Sequence, residues 1–183
     1  MKAAFSSEGQ LIFSGSGSLT VNASGKAAIT SDDYVRFKGG TTVNVTATAG
    51  NGVRGKEYIM VDAGTINVDV SGTGRKGFSS DSLVYFGGGV TTIKNSGSAG
   101  TVDNELTGSA GIKADVLFQM NGGTLSITST GTGGKGISCD GEGYFNGGKV
   151  TVVTSGKNYG PQTGGGMGGG SSTSSVSSQG IKF

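Results

Sequence analysis

The chain of 183 residues has no histidine, no tryptophan, one cysteine (Cys139) and one proline. Each absence excludes a class of chemistry. Without histidine there is no Ser-His-Asp or Cys-His catalysis and no HExxH metallopeptidase site. A single cysteine cannot form an intrachain disulfide, and cysteine with histidine is too scarce for a zinc or iron–sulfur centre. No run of 18 or more apolar residues is present, so no transmembrane helix is expected. Fourteen basic and 12 acidic residues leave a formal net charge of +2, too slight for a nucleic-acid footprint.

Small residues fill the space these absences leave. The chain has 39 glycines, 24 serines and 20 threonines, a composition that suggests disorder unless the apolar residues are ordered by position. They are. Doublets recur at Gly39-Gly40, Ala63-Gly64, Gly88-Gly89, Gly122-Gly123 and Gly147-Gly148, with a weaker relative at Ser16-Gly17. Most intervals are 23 to 25 residues, and one is 34. Three residues before the second glycine stand Phe37, Val61, Phe86, Met120 and Phe145, with Phe13 four before Gly17. After it come alternating pairs such as Leu19/Val21, Val43/Val45, Ile66/Val68, Thr91/Ile93, Leu125/Ile127 and Val150/Val152. A later corner carries Ile29, Val53, Phe78, Ile112, Ile137 and Ile181.

Alternation is period 2 throughout, and no stretch shows a helical period. The sequence therefore predicts an all-β fold, a right-handed single-stranded parallel β-helix of about six coils of 23–25 residues forming one domain over 1–183. Equivalent residues of successive coils then stack about 4.8 Å apart. Two insertions interrupt the repeat, around 95–109 and 157–179. The second holds a glycine run over 164–170 and a serine-rich stretch, so 164–178 reads as a flexible loop. The chain stops at Phe183 part-way into a further coil, and no signal peptide follows Met1. The expectation is a piece of a longer protein, or an oligomer that covers its own open end.

The phrases Gly77-Phe78-Ser79-Ser80-Asp81, Gly111-Ile112-Lys113-Ala114-Asp115 and Gly136-Ile137-Ser138-Cys139-Asp140 each precede a strand, a glycine pair and another strand. As a series they resemble the bacterial carbohydrate-binding parallel β-helix family of surface or secreted cell-adhesion proteins. That family has calcium-binding coils and a pectate-lyase-like shape. The resemblance implies an extracellular or cell-surface location, a polysaccharide or cell-surface glycan as partner, and Ca²⁺ as a structural ion.

Three constellations are candidates for function. Acidic residues recur after the apolar corner, at Asp32, Asp33, Glu57, Asp81, Asp115 and Asp140. Stacked carboxylates repel, and Ca²⁺ held by Asp32, Asp81, Asp115 and Asp140 would relieve that; the alternative is that each caps its own turn. Asp103 and Glu105 in the first insertion ligate a cation or solvate the loop. Tyr34 and Tyr58 fall at equivalent positions on adjacent coils, while Tyr85 and Tyr144 share an outward row with Arg36, Met60 and Gln119. Their rings are expected to face solvent and stack on sugars, or simply to reflect strand propensity. Basic residues near the corners, Arg54, Lys76, Lys113 and Lys135 among them, suit uronate carboxylates or serve as solubilising edges.

The sequence thus points to a non-catalytic, extracellular carbohydrate-binding or adhesion module. Two alternatives stand beside it. One is a polysaccharide lyase using Lys113 or Lys135 as base near Asp115 or Asp140. The other is a passive surface rod that self-associates end to end.

Overall fold

A computed structural model describes residues 3–160 and 175–183. No helix occurs among them, and none is long and apolar enough to cross a membrane. The chain winds through three parallel sheets in rotation. Sheet 1 stacks Ala3–Ser7, Ala27–Ser31, Val53–Gly55, Lys76–Ser80, Ala110–Ala114, Lys135–Cys139 and Gln179–Lys182. Sheet 2 stacks Leu11–Phe13, Tyr34–Phe37, Tyr58–Val61, Leu83–Phe86, Leu117–Met120 and Glu142–Phe145. Sheet 3 stacks Ser18–Ala23, Thr42–Ala47, Thr65–Val70, Val90–Asn95, Thr124–Ser129 and Lys149–Thr154. Six coils follow, each made of one strand from every sheet. Gln179–Lys182 adds a further strand to sheet 1. This is the expected β-solenoid.

The rows of the core are those of the sequence ruler. Ile29, Val53, Phe78, Ile112, Ile137 and Ile181 are in register along sheet 1, with Phe5 ahead of them. Phe37, Val61, Phe86, Met120 and Phe145 align along sheet 2. Every one of these rows is buried through the middle coils. Where coil 3 offers only Val61, Phe78 reaches across from sheet 1. Its ring lies 6.2 Å from Phe37 and 6.1 Å from Phe86, nearly parallel to both. Such aromatic contacts add about 0.5–1.5 kcal/mol per pair beyond area burial.

Glycine has two distinct uses. At the corner before sheet 3 it takes left-handed φ, +92° at Gly64 and +72° at Gly89, where other residues are strained. In coils 1 and 2 the positive φ falls instead on Gly15 and Gly39, because those corners hold one more residue before the strand. On sheet 1, Gly77, Gly111 and Gly136 stack directly against the apolar row of sheet 3. A Cβ on Gly111 would run into Ile127 Cγ2 and lie 2.8 Å from the Gly136 carbonyl oxygen. The Gly-Ile and Gly-Phe phrases of the repeat are thus a packing requirement.

The first insertion leaves the rod after Asn95 and returns at Ala110. Between them Gly100–Val102 and Glu105–Thr107 form an antiparallel hairpin. Its two-residue turn is Asp103 and Asn104, both at positive φ (50° and 67°), the backbone of a tight hairpin turn. In the second insertion Tyr159 and Val176 exchange backbone hydrogen bonds of 2.8 Å. Of the stretch read as flexible, 164–178, residues 164–174 lie outside the described residues.

Candidate functional site

Alternation turns one row of sheet 2 outward for each row it turns in. Arg36, Met60, Tyr85, Gln119 and Tyr144 form one such row across coils 2 to 6, as the sequence indicated. At the adjoining corner lie Asp62, Asn121 and Asn146. Arg36 Nε donates to Asp62 Oδ2 at 2.6 Å, and this pairing raises the pKa of the guanidinium. Asn121 Oδ1 accepts from Gln119 Nε2 (3.0 Å) and Asn146 Nδ2 (2.9 Å), while its own amide donates to the Tyr85 hydroxyl at 3.3 Å. Tyr144 is 46% exposed and donates to Glu142 Oε2 at 2.7 Å, which raises its pKa. The result is a strip of aromatic edges, amides and one ion pair spanning about 19 Å, four coil steps.

Tyr34 and Tyr58 are brought together, though in a different way from that expected. Their centroids are 4.4 Å apart and their planes differ by 10°. In-register coils place equivalent rings at stacking distance, so each covers a face of the other. What remains toward solvent is largely edge and hydroxyl. Burial, followed by the neighbouring Tyr34, raises the Tyr58 pKa. The Tyr34 hydroxyl donates to Gln10 Oε1 at 2.6 Å.

The acidic row also differs in detail. Ser31 aligns with Gly55 and Tyr34 with Tyr58. Asp32 is therefore level with Lys56, and Asp33 with Glu57. The row reads Asp32, Lys56, Asp81, Asp115, Asp140; Glu57 belongs beside Asp33, whose carboxylate raises its pKa by hydrogen bonding. Cations already meet three of these carboxylates. Arg54 Nη2 donates to both oxygens of Asp81 at 2.9 Å. Lys113 Nζ lies 2.7 Å from Asp115 Oδ1 and 2.7 Å from Asp140 Oδ2. Among the described residues no three histidine, cysteine, aspartate or glutamate side chains converge as a metal-ligand group. Calcium takes 6–8 oxygen ligands; as arranged, Asp81, Asp115 and Asp140 are engaged in ion pairs. The fourth-coil acids divide as well: Asp103 forms the hairpin turn and Glu105 borders a groove on sheet 1.

That groove is the feature the sequence reading did not assemble. Its walls include Lys76, Lys113, Lys135 and Lys182 with Glu105, Asp140 and several hydroxyls, around about 480 Å³. Burial and the charges of Arg75, Lys113 and Lys135 lower the Lys76 ammonium to about 8. Burial and Lys182 lower Lys135. For Lys113 burial acts downward, but the hydrogen bonds it donates to Asp115 and Asp140 prevail and raise its pKa. Lys113 is therefore a held cation, poorly suited to the role of base.

A solenoid carrying an aromatic and amide strip on one sheet and a lysine groove on another is the class of protein this chain forms. Residues 1–82 match the model of a family described as "Carbohydrate-binding domain-containing protein", which supports a carbohydrate-binding role. The matched part covers coils 1 to 3, with Tyr34, Arg36 and Tyr58. Searches of curated proteins and of solved structures each gave no match.

Proposed function

We propose that this chain is a non-catalytic, extracellular polysaccharide-binding and adhesion module whose glycan lies along the outward strip of sheet 2. The match over residues 1–82 carries the reading. The strip supplies the chemistry: aromatic edges give apolar contact to sugar C–H groups, and the amides of Gln119, Asn121 and Asn146 donate and accept toward hydroxyls. Four parallel coil steps repeat at one spacing, which suits a chain of repeated units better than a single small molecule. The extracellular location follows the surface-protein resemblance of the repeat phrases. End-to-end self-association is part of the same reading, supported by exposed Phe5 and Ile12 in coil 1 and by exposed Phe145 in coil 6 and Phe183 beyond it; sedimentation at rising concentration tests it.

The test is affinity electrophoresis against a panel of neutral and acidic polysaccharides. Wild-type retardation by at least one polymer is expected, with Tyr85→Ala and Tyr144→Ala each weakening it about tenfold, since each removes roughly 1–1.5 kcal/mol of aromatic contact. No retardation by any polymer, or retardation indifferent to both substitutions, would defeat the proposal.

A further inference from the structure

The lysine groove stands apart from the strip. It belongs to sheet 1 and to coils 4 to 6. The hairpin of the first insertion contributes Glu105, Leu106 and Thr107 to its wall, so the groove exists where the repeat is broken. Loops that depart from a rigid scaffold are where binding is most often built.

Its charges do not cancel. Lys113 is satisfied by Asp115 and Asp140, and Lys182 lies 4.0 Å from Asp140. Lys76 and Lys135 make no ion pair among the described residues. The Lys76 ammonium donates to the Gly74 carbonyl at 2.8 Å. Lys76 and Lys135 occupy one row of sheet 1 with Ala110 between them, so their Cα atoms stand about 10 Å apart across a gap that a methyl group leaves open. In the adjacent row Ser138 separates Lys113 from Lys182. Two uncompensated ammoniums thus flank a cavity of about 480 Å³, large enough for a sugar unit.

We propose that this groove binds the phosphate monoester of a sugar, with Lys76 and Lys135 holding the phosphate dianion. The groove is lined by four lysines against Glu105 and Asp140, a surplus of two positive charges that matches the dianion. Ammonium groups are point charges with three donors each and meet a tetrahedral oxyanion from any direction, whereas a planar carboxylate is better met by a guanidinium fork. The Ser138 hydroxyl supplies a further donor at the wall. A bound dianion also relieves the repulsion of Lys76 by Arg75, Lys113 and Lys135, which Asp115 offsets only in part.

Isothermal titration of the full chain with glucose 6-phosphate, inorganic phosphate, glucuronate and glucose at pH 7 tests the proposal. The sugar phosphate should bind tightest, inorganic phosphate more weakly, glucuronate at least tenfold more weakly than the sugar phosphate, and glucose not at all. Lys76→Gln and Lys135→Gln should each weaken sugar phosphate binding about tenfold, consistent with loss of one charge-assisted hydrogen bond. Ser138→Ala, which leaves every charge in place, should weaken it about threefold. Lys38→Gln, at the corner that follows the sheet 2 strand of coil 2, should leave sugar phosphate binding unchanged. Above pH 8, binding should take up a proton and weaken, read from titrations in buffers of different ionisation enthalpy. Glucuronate binding as tightly as glucose 6-phosphate would overturn the phosphate assignment. Absence of phosphate binding, or indifference to both lysine substitutions in variants that melt like wild type, would overturn the site.

Discussion

Removing the Asn95 amide should cost about 3 kcal/mol, and the loss should appear first at the base of the insertion. Asn95 is 1% exposed in a row whose neighbours are Val70 and Ser129. Its Nδ2 donates to the carbonyls of Arg75 (2.8 Å) and Ala110 (2.7 Å), and its Oδ1 accepts the Gly97 N–H at 2.9 Å. One amide therefore ties the outgoing limb of the insertion, its returning limb and the preceding corner. Asn95→Ala deletes three hydrogen bonds at about 1 kcal/mol each. The Arg75 carbonyl keeps a weaker bond from the Ala110 N–H at 3.3 Å, whereas the Gly97 N–H loses its partner. Orphaned buried groups push the cost upward and a water entering the vacated space pulls it down, so about 3 kcal/mol is the working figure. For a chain of this length that is a fall in melting temperature of roughly 6–12 °C. Urea unfolding gives the energy, and hydrogen exchange at Gly97 gives the location, since solenoid coils need not unfold together. A loss under about 1 kcal/mol, with Gly97 exchange unchanged, would refute the claim that this amide fastens the insertion.

Three further outcomes follow from the core and the groove. Thr91 is fully buried in the inward row between Ile66 and Leu125, and its hydroxyl has no hydrogen-bond partner; Thr91→Val should raise stability by about 1 kcal/mol, measured by urea unfolding. Gly111→Ala should lower it by about 1–3 kcal/mol, because the new Cβ meets Ile127 and the Gly136 backbone on opposite sides. Lys76, lowered to about 8 from an ordinary 10.5, gives a pH signature. Between those values the unfolded chain still binds a proton that the folded chain has released, so stability rises as pH climbs through this window. Lys76→Met should be more stable near pH 7 and should lose that part of the alkaline rise, followed by melting temperature against pH.

What could be read from the sequence was whatever repeats. Phe37, Val61, Phe86, Met120 and Phe145 declare one inward row because each stands at a fixed distance from a glycine pair, and stacking turns equal distance into contact. The outward row of Arg36, Met60, Tyr85, Gln119 and Tyr144 follows by alternation alone. The same logic could not see that Tyr34 and Tyr58 would lie against each other. Equivalence gives proximity along the rod, but the direction of a ring depends on its rotamer and neighbours. A shift of one residue is enough to mislead: Glu57 looks like a member of the acidic row, yet register puts Lys56 there and leaves Glu57 beside Asp33. The pairing of Arg54 with Asp81, 27 residues apart, depends on adjacent coils and on two sides of a corner together, which a one-dimensional ruler does not encode.

The non-repeating parts bear on function for the same reason. A perfect solenoid presents equal rows on every coil and so has no preferred place for a ligand other than a polymer lying along it. A discrete site needs the equivalence of coils to be broken. Here Asn95 takes a position that Val70 fills one coil earlier, and fastens a hairpin at that point. Ala110 stands between two lysines in a row that would otherwise be continuous. The strip of sheet 2 and the groove of sheet 1 therefore answer to different constraints. A substitution that disturbs the hairpin, such as Asn95→Ala, should weaken the groove's ligand while leaving binding along the strip intact. Loss of both together in a folded variant would show that the two faces are one site.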